Sequence, residues 1–156
     1  MSAAGTEDPD GQLRGPMSWT PAGGFSTGTP YRPASTNLAT NNAQAERADP
    51  NSMLAFYTAM LRLRNTHPSI ARGRYVAPRV DGRTMSFQRV FGEERSVVVI
   101  NYGEVAGAAS LAGLPANARL QRLYPSGPDA TKPAGSDGAA TVPAAPLSVQ
   151  VFLVSR

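Results

Sequence analysis

The sequence is informative first for what it lacks. Its 156 residues contain no cysteine, one lysine, one histidine and one tryptophan. The absence of cysteine excludes disulfides, thiolate nucleophiles and Cys-ligated metal sites, and a single histidine offers no zinc-ligand cluster. No apolar run approaches the roughly 20 residues of a membrane-spanning helix, and no signal-peptide pattern opens the chain. We therefore expect no metal, no cofactor and no membrane partner.

The basic residues are spread along the chain. Fourteen of the 15 basic residues are arginine and the formal net charge is +4, but no window of about five residues holds more than two arginines. Nucleic-acid binding favours a clustered basic stripe, so we expect no nucleic-acid partner. The bias toward arginine, alanine, glycine and proline is typical of a GC-rich coding sequence.

The length excludes a complete (β/α)8 barrel, which needs about 250 residues and rarely fewer than about 200. The first 48 residues show no strand-helix alternation and are rich in Gly, Pro, Ser, Thr and Asn. Such a composition predicts a long irregular loop. Loops of that length are either functional or disordered.

One amphipathic helix is predicted after this loop. Asp49 is expected to be its N-cap and Pro50 its first residue, and Pro68 should end it. Its apolar residues fill about half of the circumference, more than the stripe of a one-sided surface helix: Met53, Leu54, Phe56, Tyr57, Met60, Leu61 and Leu63. This arc predicts burial on two sides. Arg64 falls on the same arc and would then need a polar partner.

From Arg74 onward the pattern indicates short strands. Asp81-Gly82 is a strong hairpin signal, and Thr84–Phe91 alternates with Met85, Phe87 and Phe91 on one side. Further strands are expected in these segments: Arg74–Pro78, Ser96–Tyr102, Ala108–Leu111, Arg119–Tyr124 and Leu147–Ser155. Strands at this spacing predict an antiparallel β-sandwich. The expected fold is therefore mainly β.

Three motifs carry a resemblance to a known family. They are Leu13–Thr20 (LRGPMSWT), Gly23–Gly28 (GGFSTG) and Asp49–Ile70 (DPNSMLAFYTAMLRLRNTHPSI). In this order they resemble the closing stretch of an α-amylase-superfamily glycoside hydrolase, of the branch with α-glucosidases, oligo-1,6-glucosidases and trehalose synthases. In that family an Arg-x-Pro-Met-x-Trp segment follows the eighth barrel strand, and the last helix leads into a β-sandwich.

The resemblance implies a division of the chain into two parts. Residues 1–70 would be a remnant of the last barrel loop and last barrel helix, and residues 71–156 the C-terminal β-sandwich. The family's catalytic carboxylates lie on earlier barrel strands, so the resemblance implies no catalytic residue here and no activity of the chain alone. The missing barrel would pack on the helix and the sandwich. Met1 would be an internal start or the edge of a truncation.

Two residues are candidates for substrate binding in the intact enzyme, where the substrate would be an α-glucoside or maltooligosaccharide. The guanidinium of Arg14 could hold sugar hydroxyls or a carboxylate of the site, or pair structurally with the barrel. Trp19 could stack on a sugar ring or seal the loop. Ser18 and Thr20 depart from the residues that relatives often carry, which leaves the sub-branch open.

Two further readings stay open. The acidic cluster Glu7, Asp8 and Asp10 lacks the spacing of a calcium loop, so we expect a solvated loop. The β-sandwich could also act as a stand-alone carbohydrate-binding or protein-interaction module. An exposed apolar patch would favour the fragment hypothesis, whereas a flat row of exposed aromatic rings would favour the module.

Overall fold

A computed structural model describes residues 14–127 and 133–156. The chain divides into two compact units, one ending at Ala59 and one running from Met60 to Arg156. The described helices are α1 (Ala43–Ala48), α2 (Met53–Thr66) and α3 (Pro68–Arg72). The described strands are β1 (Arg74–Asp81), β2 (Thr84–Phe91), β3 (Glu94–Asn101), β4 (Gly107–Leu111), β5 (Arg119–Tyr124), β6 (Ala140–Ala144) and β7 (Ser148–Ser155). None of these helices has the length and apolarity to cross a bilayer.

Helix α1 interrupts the segment predicted to be irregular. Asn42 is its N-cap, and the Asn42 side chain accepts a hydrogen bond from the backbone N–H of Ala45 at 2.9 Å. This bond satisfies one of the free donors of the first turn. This six-residue helix was not predicted, because it is too short to display an apolar period. It adds to the one amphipathic helix that was predicted, and the Asn42 cap was the available signal.

Helix α2 begins later than predicted. The Asp49 carboxylate accepts from the N–H of Asn51 at 2.8 Å and closes a turn. The helix starts after Ser52, whose carbonyl accepts from Phe56 at 3.0 Å and whose hydroxyl accepts from Ala55 at 3.1 Å. Short polar side chains compete with the backbone in this way, which moves the N-cap from Asp49 to Ser52.

The end of α2 agrees with the prediction, but its burial does not. The helix ends at Thr66, and Pro68 opens α3, where its missing N–H costs no hydrogen bond. No residue of α2 is buried, so the predicted burial on two sides was wrong for this chain. Arg64 is exposed and needs no buried partner.

The second unit contains two antiparallel sheets, which confirms the mainly β, sandwich-type fold. The larger sheet has five strands in the order β1-β2-β3-β7-β5, and the smaller one pairs β4 with β6. The predicted turn at Asp81-Gly82 joins β1 to β2, with Gly82 at φ +56°. That conformation favours glycine.

The hydrophobic core lies between the two sheets. From the larger sheet it takes Val97, Val99, Leu120 and Phe152, and from the smaller one Ala109, Leu111, Val142 and Ala144. Phe152 is fully buried and is the largest of these side chains. Aromatic and branched residues of this kind contribute most of the apolar burial in a small sandwich.

Strand β2 turns its polar side toward the smaller sheet. The polar side chains of Thr84, Ser86 and Gln88 are buried, while Met85 and Phe87 are half-buried and Phe91 is exposed. The alternation was right, but the apolar side does not face the smaller sheet. On this side Gln88 uses its amide to donate a hydrogen bond to a loop carbonyl.

Three buried amides form these bonds. Gln88 Nε2 donates to the carbonyl of Ala112 at 2.7 Å, and Gln150 Nε2 donates to Pro143 at 2.7 Å. Asn101 Nδ2 donates to the carbonyl of Val105 at 2.9 Å and to the carbonyl of Ala145, just after β6, at 3.0 Å. Buried carbonyls need a donor, so these amides tie the smaller sheet and its loops to the larger one.

Candidate functional site

The loop that carries Trp19 is closed by a tight turn. The N–H of Trp19 donates to the carbonyl of Gly23 at 2.8 Å, and Thr20 and Gly23 exchange two backbone hydrogen bonds. Gly23 has φ +101° and Gly24 has φ +80°, a region that disfavours residues with a Cβ. The glycine pair therefore fixes the backbone that presents Trp19.

The same segment is held by helix α1. The carbonyl of Ser18 accepts from the N–H of Ala43 at 2.9 Å, and that of Trp19 accepts from Gln44 at 3.0 Å. The buried Asn42 adds a bond from Nδ2 to the carbonyl of Leu38 at 2.9 Å. The N-terminal N–H groups of α1 thus find partners in the loop, and the Trp19 backbone is fixed on two sides.

Arg14 and Trp19 are both exposed on this loop. Trp19 keeps 45% of its surface accessible, and Arg14 lies five residues before it. Both side chains are therefore accessible to a ligand. Their role in substrate binding stays a prediction.

A cluster at the start of α3 brings together a histidine, a serine and a glutamate. His67, Ser69 and Glu94 lie together, but the Glu94 carboxylate, not the imidazole, accepts from the Ser69 hydroxyl, at 2.6 Å. His67 Nδ1 is 3.8 Å from Glu94 Oε2, and Ser69 is fully buried. A nucleophilic serine needs a base on its hydroxyl and access to substrate, so this cluster is structural.

The acidic cluster Glu7, Asp8 and Asp10 lies outside the described residues. Within residues 14–127 and 133–156, no group of three or more His, Asp or Glu residues could hold a metal ion.

An open cleft of about 600 Å³ lies at one end of the sandwich. It is lined by the β1–β2 turn and by the loop after β3, including Asp81, Arg83, Tyr102 and Glu104. Both carboxylates are exposed, whereas a glycosidase acid needs an apolar environment. Sequence reasoning missed this cleft because its two segments come together only in the fold.

All three sequence motifs lie within a stretch that matches a known family. The family described as "Alpha amylase, catalytic domain" matches residues 1–73. An oligo-1,6-glucosidase of Parageobacillus thermoglucosidasius is 33% identical over 94 residues, 58% of this chain and 17% of the relative. A probable α-glucosidase of Rhizobium meliloti (strain 1021) is 31% identical over 100 residues, 63% of this chain and 18% of the relative. A trehalose-6-phosphate hydrolase of Bacillus subtilis (strain 168) is 30% identical over 101 residues, 63% of this chain and 18% of the relative.

Solved structures share the fold. The trehalulose synthase of Pseudomonas mesoacidophila MX-45 matches 91% of this chain with a TM-score of 0.64 at 24% identity. An isomaltulose synthase of Klebsiella sp. LX3 matches 91% with a TM-score of 0.65 at 24% identity. This chain covers 25% of each of those structures and less than a fifth of each curated relative.

Proposed function

We propose that the chain belongs to the α-amylase superfamily and that it supplies the last barrel loop, the last barrel helix and the C-terminal β-sandwich of a glycoside hydrolase. We place the boundary between the barrel part and the sandwich between residues 70 and 71. The enzyme would act on α-glucosidic linkages of an α-glucoside or maltooligosaccharide. The named relatives, two glucosidases and a trehalose-6-phosphate hydrolase, support this substrate class.

The exposed apolar face of α2 is the observation that carries the proposal. Its large apolar side chains keep much of their surface accessible: Met53 63%, Phe56 36%, Tyr57 59% and Leu61 55%. Contiguous exposed apolar surface marks a place where another protein surface belongs. A barrel packed on α2 would bury these side chains.

The outward face of the larger sheet supports the same partner. Met85 lies opposite Ile100 and Phe87 lies opposite Val98, so these four side chains share the face that is turned away from the smaller sheet. They are only half-buried. A sheet with apolar residues on both faces is typical of a layer that is covered on both sides.

The catalytic carboxylates would come from the barrel. Retaining glycosidases need two carboxyl groups about 5 Å apart, one as nucleophile and one as acid/base. In this proposal the chain contributes binding groups only, so it has no hydrolytic activity of its own.

Arg14 and Trp19 are the proposed binding groups. A guanidinium can hold two sugar hydroxyls or a carboxylate in a fork, and an indole ring offers an apolar face to a pyranose ring. The turn at Gly23 and the bonds from α1 support this role, because a site built on a fixed backbone loses less entropy on binding.

A chimaeric enzyme tests the proposal. The matched segment of the Parageobacillus thermoglucosidasius oligo-1,6-glucosidase is replaced by the corresponding segment of this chain, extended to include Arg14 and Tyr31. The kcat/KM on isomaltose is then compared among variants of this chimaera. Loss of a charged hydrogen bond is worth about 1.5–3 kcal/mol, so Arg14→Ala should lower kcat/KM about 10- to 100-fold. Tyr31→Ala, at a side chain that is 94% exposed, is the control. An active chimaera that is indifferent to Arg14→Ala would contradict the proposed role.

The alternative, in which the β-sandwich is a stand-alone carbohydrate-binding or protein-interaction module, has less support. Three aromatic side chains of the second unit are notably exposed, namely Tyr75, Phe91 and Tyr102. Tyr75 packs on Phe87 with ring centroids 4.9 Å apart, and the guanidinium of Arg72 lies 4.8 Å from the ring of Phe91. Two of the three rings are therefore engaged in separate contacts, which leaves Tyr102 and no flat row of open rings.

A further inference from the structure

The cleft at the end of the sandwich has a fixed backbone. The N–H of Tyr102 donates to the carbonyl of Arg83 at 3.0 Å, which joins the two segments that line it. The Asn101 side chain accepts from Gly103 at 2.8 Å and donates to Val105 at 2.9 Å. These bonds hold the loop after β3 in one shape, so a ligand would meet a preorganised surface.

Two glycines let the cleft walls approach closely. A Cβ on Gly107 would lie 2.9 Å from Thr84 Oγ1, and one on Gly103 would lie 3.2 Å from Arg83 Cβ. A Cβ on Gly107 would force a shift against Thr84, and one on Gly103 would crowd Arg83 and Asn101. Close backbone approach is a recognised use of glycine, and here it sets the width of the cleft.

The side chains that line the cleft combine an aromatic face with polar groups. The Tyr102 ring is 60% exposed, and Asp81, Arg83 and Glu104 are exposed around it. The two carboxylates accept hydrogen bonds and the guanidinium donates them. With two negative charges and one positive charge, the cleft disfavours an anionic ligand.

We propose that this cleft binds a neutral oligosaccharide, with one pyranose ring against Tyr102 and its hydroxyls held by Asp81, Arg83 and Glu104. A pyranose ring has an apolar C–H face and a rim of hydroxyls that both donate and accept. The volume of about 600 Å³ falls within the roughly 300–1,000 Å³ of small-molecule sites. The inference goes beyond the proposed function and does not depend on it.

A nuclear magnetic resonance titration of the full 156-residue chain tests this site. Maltotriose and cellotriose are added separately, and backbone amide shifts are followed. At least one of them should shift amides confined to residues 81–84 and 101–108, with a dissociation constant on the order of 1 mM, equivalent to about −4 kcal/mol.

Variants of the lining residues distinguish a specific binding site from weak, nonspecific surface contact. Tyr102→Ala should weaken binding at least tenfold, and Glu104→Gln at least threefold with the aromatic ring retained. Tyr31→Ala removes an even more exposed tyrosine and should change nothing. The proposal is overturned if neither trisaccharide shifts these amides, if both cleft variants bind as tightly as the original chain, or if only a cationic peptide such as tetralysine binds the cleft.

Discussion

Ser69 and Glu94 are joined by two hydrogen bonds to one carboxylate oxygen. Glu94 Oε1 accepts from the backbone N–H of Ser69 at 2.8 Å and from its hydroxyl at 2.6 Å. The guanidinium of Arg89 adds a bond to the carbonyl of Ile70 at 3.3 Å. Helix α3 is therefore held on β2 and β3 by a carboxylate at its first turn and by an arginine at the carbonyl of Ile70. The helix dipole favours a carboxylate in that position.

Removal of this carboxylate should destabilise the sandwich. Glu94→Ala leaves the backbone N–H of Ser69 without its acceptor and leaves the Ser69 hydroxyl with only Ser96 Oγ as a partner. Hydrogen bonds to charged groups are worth about 1.5–3 kcal/mol, and a loss of that size is expected. Urea unfolding followed by far-ultraviolet circular dichroism measures the change. Glu93→Ala, at the exposed neighbouring position, is the matched control and should stay within about 0.5 kcal/mol. Equal stability of the two variants would contradict a stabilising role of the Glu94 hydrogen bonds.

The buried amide of Asn101 should contribute a similar amount to the free energy of unfolding. Asn101→Ala removes the donor to Val105 and Ala145 and the acceptor for Gly103. Unpartnered buried groups cost about 1–3 kcal/mol each, so a loss of about 3 kcal/mol is expected in the same urea experiment. Asn65→Ala changes an exposed asparagine and should be near neutral. A loss no larger than that of the control would contradict the bonding role.

Phe152 is the centre of the core and should be the most sensitive apolar position. It is fully buried, and Phe→Ala changes in cores cost about 3–5 kcal/mol because a cavity remains. Thermal unfolding of Phe152→Ala should show this loss. Phe25→Ala, at a side chain that is 61% exposed, is the comparison. A loss below about 1 kcal/mol at Phe152 would argue against this placement of the core.

The apolar face of α2 should bind a hydrophobic dye. Leu61→Gln removes exposed apolar surface but keeps a good helix former, so dye fluorescence with anilinonaphthalene sulfonate should fall while helix content is unchanged. Arg62→Gln, at the next exposed position, should leave the fluorescence as it is. Unchanged fluorescence in Leu61→Gln would mean that α2 is not the exposed apolar surface.

Local signals predicted several elements well. The Asp81-Gly82 pair predicted the turn because its backbone requirement is met by glycine within the turn itself, and β2 spans Thr84–Phe91 as expected. Pro68 predicted the end of α2 for a similarly local reason. Signals that lie within a few residues of the element they control can be interpreted from the sequence.

The features that could not be predicted depend on residues that are distant in the sequence. Alternation in β2 shows that Met85 and Phe87 share a face, but it does not tell which face meets the smaller sheet. On that face Gln88 donates to the carbonyl of Ala112, which lies 24 residues away in the sequence. The start of α2 depends on Glu46, whose carboxylate accepts from the N–H of Leu54 at 3.0 Å. The cleft at Tyr102 needs two separate segments. Arg14 and Trp19 were found only through the family resemblance.

The absence of glycosidase activity in the chain alone is tested most directly by measuring glucose release by the purified 156-residue chain from maltose, isomaltose and sucrose. The intact oligo-1,6-glucosidase relative serves as the positive control. We expect no release above a blank, because the proposed function assigns both reacting carboxylates to a barrel that this chain does not contain. Turnover that persists through purification and is abolished by Asp81→Asn or Glu104→Gln would contradict it, since catalysis would then reside in the sandwich cleft.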